Sequence, residues 1–280
     1  MENISIVDQL SLLRITAASQ IPPHEFLFAW NGTPCFARGE LVAVTGKAKS
    51  GKTYLNSLLM AACAGEGRLG LSRMGEKPLR VVWIDTEQSE DTTCEILRDR
   101  IGPMTGTMPD EKLYHVFNWR KIKWQDRMSL VLSAIAICQP DLVIFDGIRD
   151  VVGDINDYTE AQNIIGQLLQ VASEFHTCIV CVLHQNKAVE DKTLRGALGT
   201  ELQNKSFETY ECSKNQDTRI LPSVKRLPVS TTCPIRSSFA WTPRGCRCYV
   251  LPYKSKKIFR LLLRMTVRSS IRHLLAQMAR

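Results

Sequence analysis

The sequence predicts an α/β protein built on a mostly parallel sheet with helices on both faces, and three observations predict it. Short apolar runs of strand length, residues 41–45, Val81–Asp85, Leu142–Asp146 and Cys178–His184, recur without the polar alternation of a half-exposed strand. Between them lie longer stretches with apolar residues at helical spacing, which reads as strand, crossover helix, strand. Several runs stop at a glycine-rich loop, an acid or a polar cluster, so groups capable of chemistry gather at the strand ends.

Taken in order, residues 1–38 read as an N-terminal extension, with a helical pattern over 6–15 and an irregular stretch through Pro22-Pro23 and Trp30-Asn31-Gly32. Residues 39–219 read as the main domain. Its first buried strand, 41–45, leads through a Gly/Lys loop into a helix over 53–64. Val81–Asp85 is the next strand, bounded by Pro78 and by the polar run 86–91; a helix over 90–101 and a strand Tyr114–Asn118 follow. A helix over 126–138, the strand Leu142–Asp146, a long amphipathic helix over 158–176 and the strand Cys178–His184 complete the pattern. Residues 220–280 read as an irregular, basic C-terminal tail, and no internal repeat is visible.

With 280 residues, 44% hydrophobic and 23% charged, the chain is long enough for one substantial core. Its apolar runs fall far short of the roughly 20 residues that cross a bilayer. The start Met1-Glu2-Asn3-Ile4-Ser5 lacks a basic segment followed by an apolar one, so a cytoplasmic protein without a membrane partner is expected. Cys63, Cys94, Cys138, Cys178 and Cys181 sit in helix-like or strand-like segments and read as reduced thiols; Cys233, Cys246 and Cys248 lack the second pair that would complete a zinc site. Residues 211–280 carry 15 Lys or Arg against two acids, whereas the residues before them carry 21 against 26, so the excess positive charge lies in the tail.

The segment Gly46-Lys47-Ala48-Lys49-Ser50-Gly51-Lys52-Thr53 fits G-x-x-x-x-G-K-[ST] between a buried strand and a helix start. Glycines there let successive backbone N–H groups turn toward a phosphate, with the helix N-terminus adding its positive end. The expected ligands are ATP and Mg²⁺, held by residues 46–54 (Tyr54 being the last), with Lys52 bridging the β- and γ-phosphates and Thr53 offering its hydroxyl to the metal. Leu142–Asp146 has the form of a Walker B strand, which makes Asp146 the second metal-side group. Val81–Asp85 runs into Thr86 and Glu87, and Glu87 is the candidate base for an attacking water; the competing reading makes it a helix N-terminal acid, since Thr86, Ser89 and Glu90 also look like capping residues. A small-molecule kinase is disfavoured because no Arg-rich lid is found.

A P-loop, a strand ending in Asp-x-Glu, a Walker B strand and a further strand ending in a His/Gln cluster resemble the RecA-type ATPase core. Within it, Val44 to Ser50, Trp83 to Ser89, Phe145 to Asp150 and Leu183-His184-Gln185-Asn186-Lys187 resemble the RepA-like, AAA_25-type ATPases of bacterial mobile elements, notably Bacteroides-type ones, over about residues 20 to 217. The resemblance implies a helicase-like ATPase of DNA replication or mobilisation; the alternative is a non-motor ATP-dependent assembly switch. It further implies that Gln185 senses the γ-phosphate, that residues 187–195 face single-stranded DNA, and that Lys214 is a basic finger reaching a neighbouring subunit's nucleotide. A finger acting in trans implies a homo-oligomer, with a hexameric ring as the form expected.

The resemblance stops after about Arg219. The family commonly ends on a strand of the form Pro-Phe-x-Phe-Arg followed by Gly-Leu-Pro, which residues 234–248 do not contain. Codons can nevertheless be chosen for those residues that, read one nucleotide out of frame, spell Asp-Pro-Phe-Glu-Phe-Arg-Met-Asp-Thr-Gln-Gly-Leu-Pro-Val. The tail therefore reads as translated from a shifted frame, with the last core strand missing. Two alternatives stay open: a basic tail for nucleic acid with Trp241, Tyr249, Tyr253 and Phe259 interleaved, and an amphipathic helix over 256–278 for a membrane or partner.

Overall fold

A computed structural model describes residues 6–186, 194–213, 223–227 and 238–239. Lys214, residues 187–193, the three tail cysteines and the helical pattern over 256–278 lie outside the described residues.

The main sheet is a parallel α/β sheet. Its six parallel strands are β3 (Leu41–Gly46), β5 (Val81–Asp85), β6 (Tyr114–Asn118), β7 (Leu142–Asp146), β8 (Cys178–His184) and β9 (Glu208–Ser213), arranged β9-β3-β8-β7-β5-β6. Beyond β9, two further strands continue antiparallel: β10 (Ser223–Leu227) and β11 (Ser238–Phe239). Thus β10 pairs along an edge that the shifted-frame reading of the tail left without a strand.

Residues β3, β5, β7 and β8 present to both faces are buried, which is why those strands read as unbroken apolar runs. Val42, Val44, Val81, Trp83, Leu142, Ile144, Val180 and Val182 pack on one face, with helix α2 (Lys52–Ala64). Ala43, Val82, Ile84, Val143, Phe145, Ile179, Cys181 and Leu183 pack on the other, beneath α5 (Trp124–Cys138), α6 (Tyr158–Glu174) and α7 (Gly196–Lys205). Connections leaving β3 and β5 cover the first face and those leaving β7 and β8 the second. Neighbouring strands β3 and β8 therefore send their chains apart, and the resulting crevice opens at the carboxyl ends of the strands.

Two segments differ from the sequence reading. The stretch taken as irregular is a hairpin of β1 (Phe26–Trp30) and β2 (Thr33–Ala37), turned at Asn31 and Gly32, both with positive φ, and joined by β4 (Leu71–Arg73) into a three-stranded antiparallel sheet. This sheet is part of the core: the Phe36 ring stacks on Tyr210 of β9 at 4.9 Å, and Phe28 meets Phe36 edge-on at 5.7 Å. The helix expected over 90–101 is α3 (Glu90–Glu95) running into a π-helical turn, Ile96–Ile101, before the short α4 (Gly102–Thr105). The N-terminal helix α1 (Ile6–Leu13) exposes its apolar residues.

Among the described residues no helix is long and apolar enough to cross a membrane. The seven cysteines there are free thiols.

Candidate active site

The loop between β3 and α2 has the backbone that a phosphate cradle requires. Gly51 lies at φ 97° and Lys49 at φ 59°, so the chain alternates handedness and can turn consecutive N–H groups to one side. At Gly46, φ 151°, a Cβ would stand 2.3 Å from the Cys212 carbonyl oxygen and 2.4 Å from Ser50 Oγ, so no larger residue fits without moving backbone. Lys47, Ala48 and Lys49 are exposed at the rim, while Ser50 and Lys52 are buried. Tyr54 is 40% exposed, with the Arg100 guanidinium 4.3 Å from its ring centroid.

Lys52 folds back over its own loop. Its Nζ donates to the Gly46 and Lys47 carbonyls, each at 3.1 Å, and lies 3.0 Å from His184 Nδ1. Burial pulls its pKa down, while Glu87 and Asp146 push it up.

Asp146 closes β7 beside the second turn of α2, where Asn56 Nδ2 donates to its Oδ2 at 3.0 Å. Asn56 stands one turn beyond Lys52 and Thr53, on their side of the helix. Burial, with Glu87 and Asp85 adding to it, raises the Asp146 carboxyl to about 7. A buried carboxylate so disfavoured is a natural partner for a cation, and with the Thr53 hydroxyl it makes the hard oxygen donor set that Mg²⁺ takes. Asn56 Oδ1, beside Asp146, and Ser50 Oγ, in the loop near Gly46, are buried with no partner among the described residues. Mg²⁺ takes one or two protein oxygens and completes its shell with phosphates and water.

Glu87 sits just past β5, and the capping reading of its neighbourhood also holds: Ser89 caps α3, accepting from the Thr92 N–H. Asp85 shapes the turn between. Its Oδ1 accepts from the Glu87 and Gln88 N–H groups, both at 3.0 Å, and its Oδ2 accepts from Thr93 Oγ1 at 2.7 Å. Asn118 of β6 braces the turn, donating to Thr93 Oγ1 and to the Gln88 carbonyl. Glu87 is thereby aimed at β8, where its Oε1 lies 3.4 Å from His184 Nε2. The hydrogen bond from His184 holds its carboxyl below the ordinary range despite burial.

Asp85 behaves oppositely, because burial raises its carboxyl against the hydrogen bonds from Gln88, Thr93 and Glu87. A raised acid binds its proton more tightly folded than unfolded, so its stabilisation is complete below the unfolded value near 4 and is lost as pH rises through the folded value. Asp85→Asn keeps an acceptor for the two N–H groups and can donate to Thr93, whose hydroxyl turns to the Ser89 carbonyl at 3.1 Å. Thermal unfolding at pH 5 and pH 8 is expected to show a smaller loss of stability with rising pH in Asp85→Asn than in the natural chain; an identical loss would exclude Asp85 as a source.

Gln185 follows β8 beside the loop. Its backbone N–H donates to the Gly46 carbonyl at 3.4 Å and its side chain to Glu211 Oε1 at 3.0 Å. It also pairs in an isolated bridge with Leu194, so that residues 185 and 194 stand side by side at this strand edge. Residues 46–54, Glu87, Asp146 and Gln185 thus converge where β3, β5, β7 and β8 end; Lys214 lies outside the described residues. Asn56 and His184 belong to the cluster but were given no role from sequence. Asn56 sits four residues after the motif lysine, a spacing that could have flagged it; the partners of His184 depend on strand order.

A parallel α/β sheet carrying this loop and this acid-tipped strand defines a P-loop NTPase with a RecA-like core. The model of the AAA_25 family, described as an AAA domain, matches residues 14–190, and the chain belongs to that family. This places it among P-loop ATPases. A comparison with curated proteins found no match.

Proposed function

We propose that the chain is a Mg²⁺-dependent ATP hydrolase of the RecA/RepA type that works as a DNA motor in replication or mobilisation of a mobile element. The observation that carries the hydrolytic reading is the convergence of Lys52, Asp146 and Glu87 on one strand edge, with Glu87 braced by Asp85 and His184. Residues 46–51 wrap the phosphates, and Lys52 bridges the β- and γ-phosphates. Thr53 and Asp146 would hold Mg²⁺, which would supply charge neutralisation on the phosphate oxygens. Glu87, ionised at neutral pH, orients the attacking water and takes its proton. Gln185 senses the γ-phosphate and passes its state to the following segment.

The motor reading adds partners. Residues 187–195 follow Gln185 in the chain, and Gln185 pairs with Leu194 at the strand edge that carries the site, which suits a segment that contacts single-stranded DNA and responds to hydrolysis. Lys214 serves a neighbouring subunit in a homo-oligomeric ring, with a hexamer as its expected form, in the cytoplasm. Kinship with RepA-like proteins of Bacteroides-type elements rests on four motifs in their family order, and the shifted-frame origin of the tail goes with it; sequencing the gene tests the latter.

The experiment is the ATPase rate of the purified chain with and without single-stranded DNA. Turnover stimulated by DNA supports the motor. Nucleotide binding and oligomerisation without DNA-dependent turnover would replace it with an ATP-dependent assembly switch.

A further inference from the structure

His184 is the last residue of β8, flanked in the sheet by β3, which leads into the P-loop, and by β7, which ends in Asp146. Its ring stands between two groups of opposite charge. Nδ1 is 3.0 Å from Lys52 Nζ and Nε2 is 3.4 Å from Glu87 Oε1. A lysine ammonium has three N–H donors and no acceptor, so His184 Nδ1 accepts from Lys52; the ring proton then sits on Nε2 and is given to Glu87. One imidazole tautomer satisfies both neighbours, and Lys52 fixes which one.

All three Lys52 donors are committed: to the Gly46 carbonyl, to the Lys47 carbonyl and to His184. A phosphate oxygen can be reached only by giving one up. Both carbonyls keep a second donor, Gln185 N–H on Gly46 and Ser50 N–H on Lys47, whereas Nδ1 is bonded to Lys52 alone among the described residues. Letting go of a carbonyl is therefore the cheaper move, and the bond to His184 persists while Lys52 serves the phosphates.

We propose that His184 is a positioning residue that ties Glu87 to Lys52, so that the group contacting the phosphates also sets the orientation of the group activating the water. The inference rests on the roles given to Lys52 and Glu87 under the proposed function. The lysine orients the imidazole, the imidazole presents Nε2–H to Glu87, and Glu87 keeps one oxygen engaged while the other faces the water. Without the ring, Glu87 remains attached to the turn braced by Asp85 but its carboxylate is free to swing. A misplacement of about 1 Å in such a group can cost on the order of 10²-fold in rate.

Three variants of the full chain test this: His184→Ala, His184→Gln and His184→Asn. Steady-state ATP turnover, affinity for a fluorescent ATP analogue and thermal midpoint are measured for each. His184→Ala is expected to lower kcat by about 10²-fold with affinity unchanged or a few-fold tighter, because only positioning is lost. Gln can place an N–H near the Nε2 position and should restore a substantial part of the rate; Asn reaches only the Nδ1 position and should not. An unchanged kcat in His184→Ala overturns the proposal, as does equal loss in Gln and Ala or a collapse of nucleotide affinity. Glu87→Gln in the same assay separates this inference from the reading beneath it: if that variant still turns over ATP normally, the role of Glu87 fails and this inference fails with it. If Glu87→Gln is inactive and His184→Ala is not impaired, only the inference fails.

Discussion

Replacing Glu87 by Gln is expected to lower the rate of ATP hydrolysis by about 10²- to 10⁴-fold, the range a positioned general base contributes, while nucleotide still binds. The substitution keeps the shape of the side chain and an oxygen to accept from His184, but the amide cannot take a proton from water. Asp85 cannot replace it, since its oxygens already accept from the Glu87 and Gln88 N–H groups and the Thr93 hydroxyl. Asp146 cannot either, with Asn56 donating to Oδ2 and burial favouring its protonated form. Phosphate release measures the rate, and a fluorescent ATP analogue measures binding. Residual turnover within about tenfold of the natural chain would mean that the base is another group.

The strands that position this site were legible because β5, β7 and β8 are buried on both faces; β6, at the sheet edge, is buried only at Tyr114 and was read from its short β-type run. Val81–Asp85, Tyr114–Asn118, Leu142–Asp146 and Cys178–His184 occur at the limits read from sequence. Elements whose stability depends on distant partners were not legible. β9 contains Glu208, fully buried, which argues locally against a core strand. What makes it tolerable is remote: Glu208 accepts from the Phe36 N–H of the hairpin and from Tyr210, and pairs with Arg226 of β10. The Asn31-Gly32 turn was a local signal, but Pro22-Pro23 and the short flanking runs obscured it. In the site, motif spacing was enough to single out Lys52, Asp146 and Glu87. Spacing could not reveal that His184 lies between two of them, because that follows from β8 sitting next to β3 and β7.

Lys52→Ala is expected to remove ATP turnover altogether, with kcat/KM down by at least about 10³-fold and nucleotide affinity weakened as well. The lysine is the cation that lowers Asp146 and one of the groups that lower Glu87. Its removal therefore leaves the ionised Glu87 facing the phosphates with less positive charge beside it, and repulsion opposes nucleotide entry. It also deprives His184 Nδ1 of its donor, freeing the ring to adopt the other tautomer and release Glu87. Lys52→Arg is not expected to rescue the rate: a planar guanidinium cannot reproduce the point-like ammonium that reaches the Gly46 and Lys47 carbonyls and His184 together. The fold should tolerate the alanine, because position 52 opens α2, alanine is the best helix former, and the change also removes a buried charge. A thermal midpoint at or above that of the natural chain, combined with lost turnover, would assign the defect to chemistry. Turnover retained in Lys52→Ala would mean that the chain does not hydrolyse ATP through this loop.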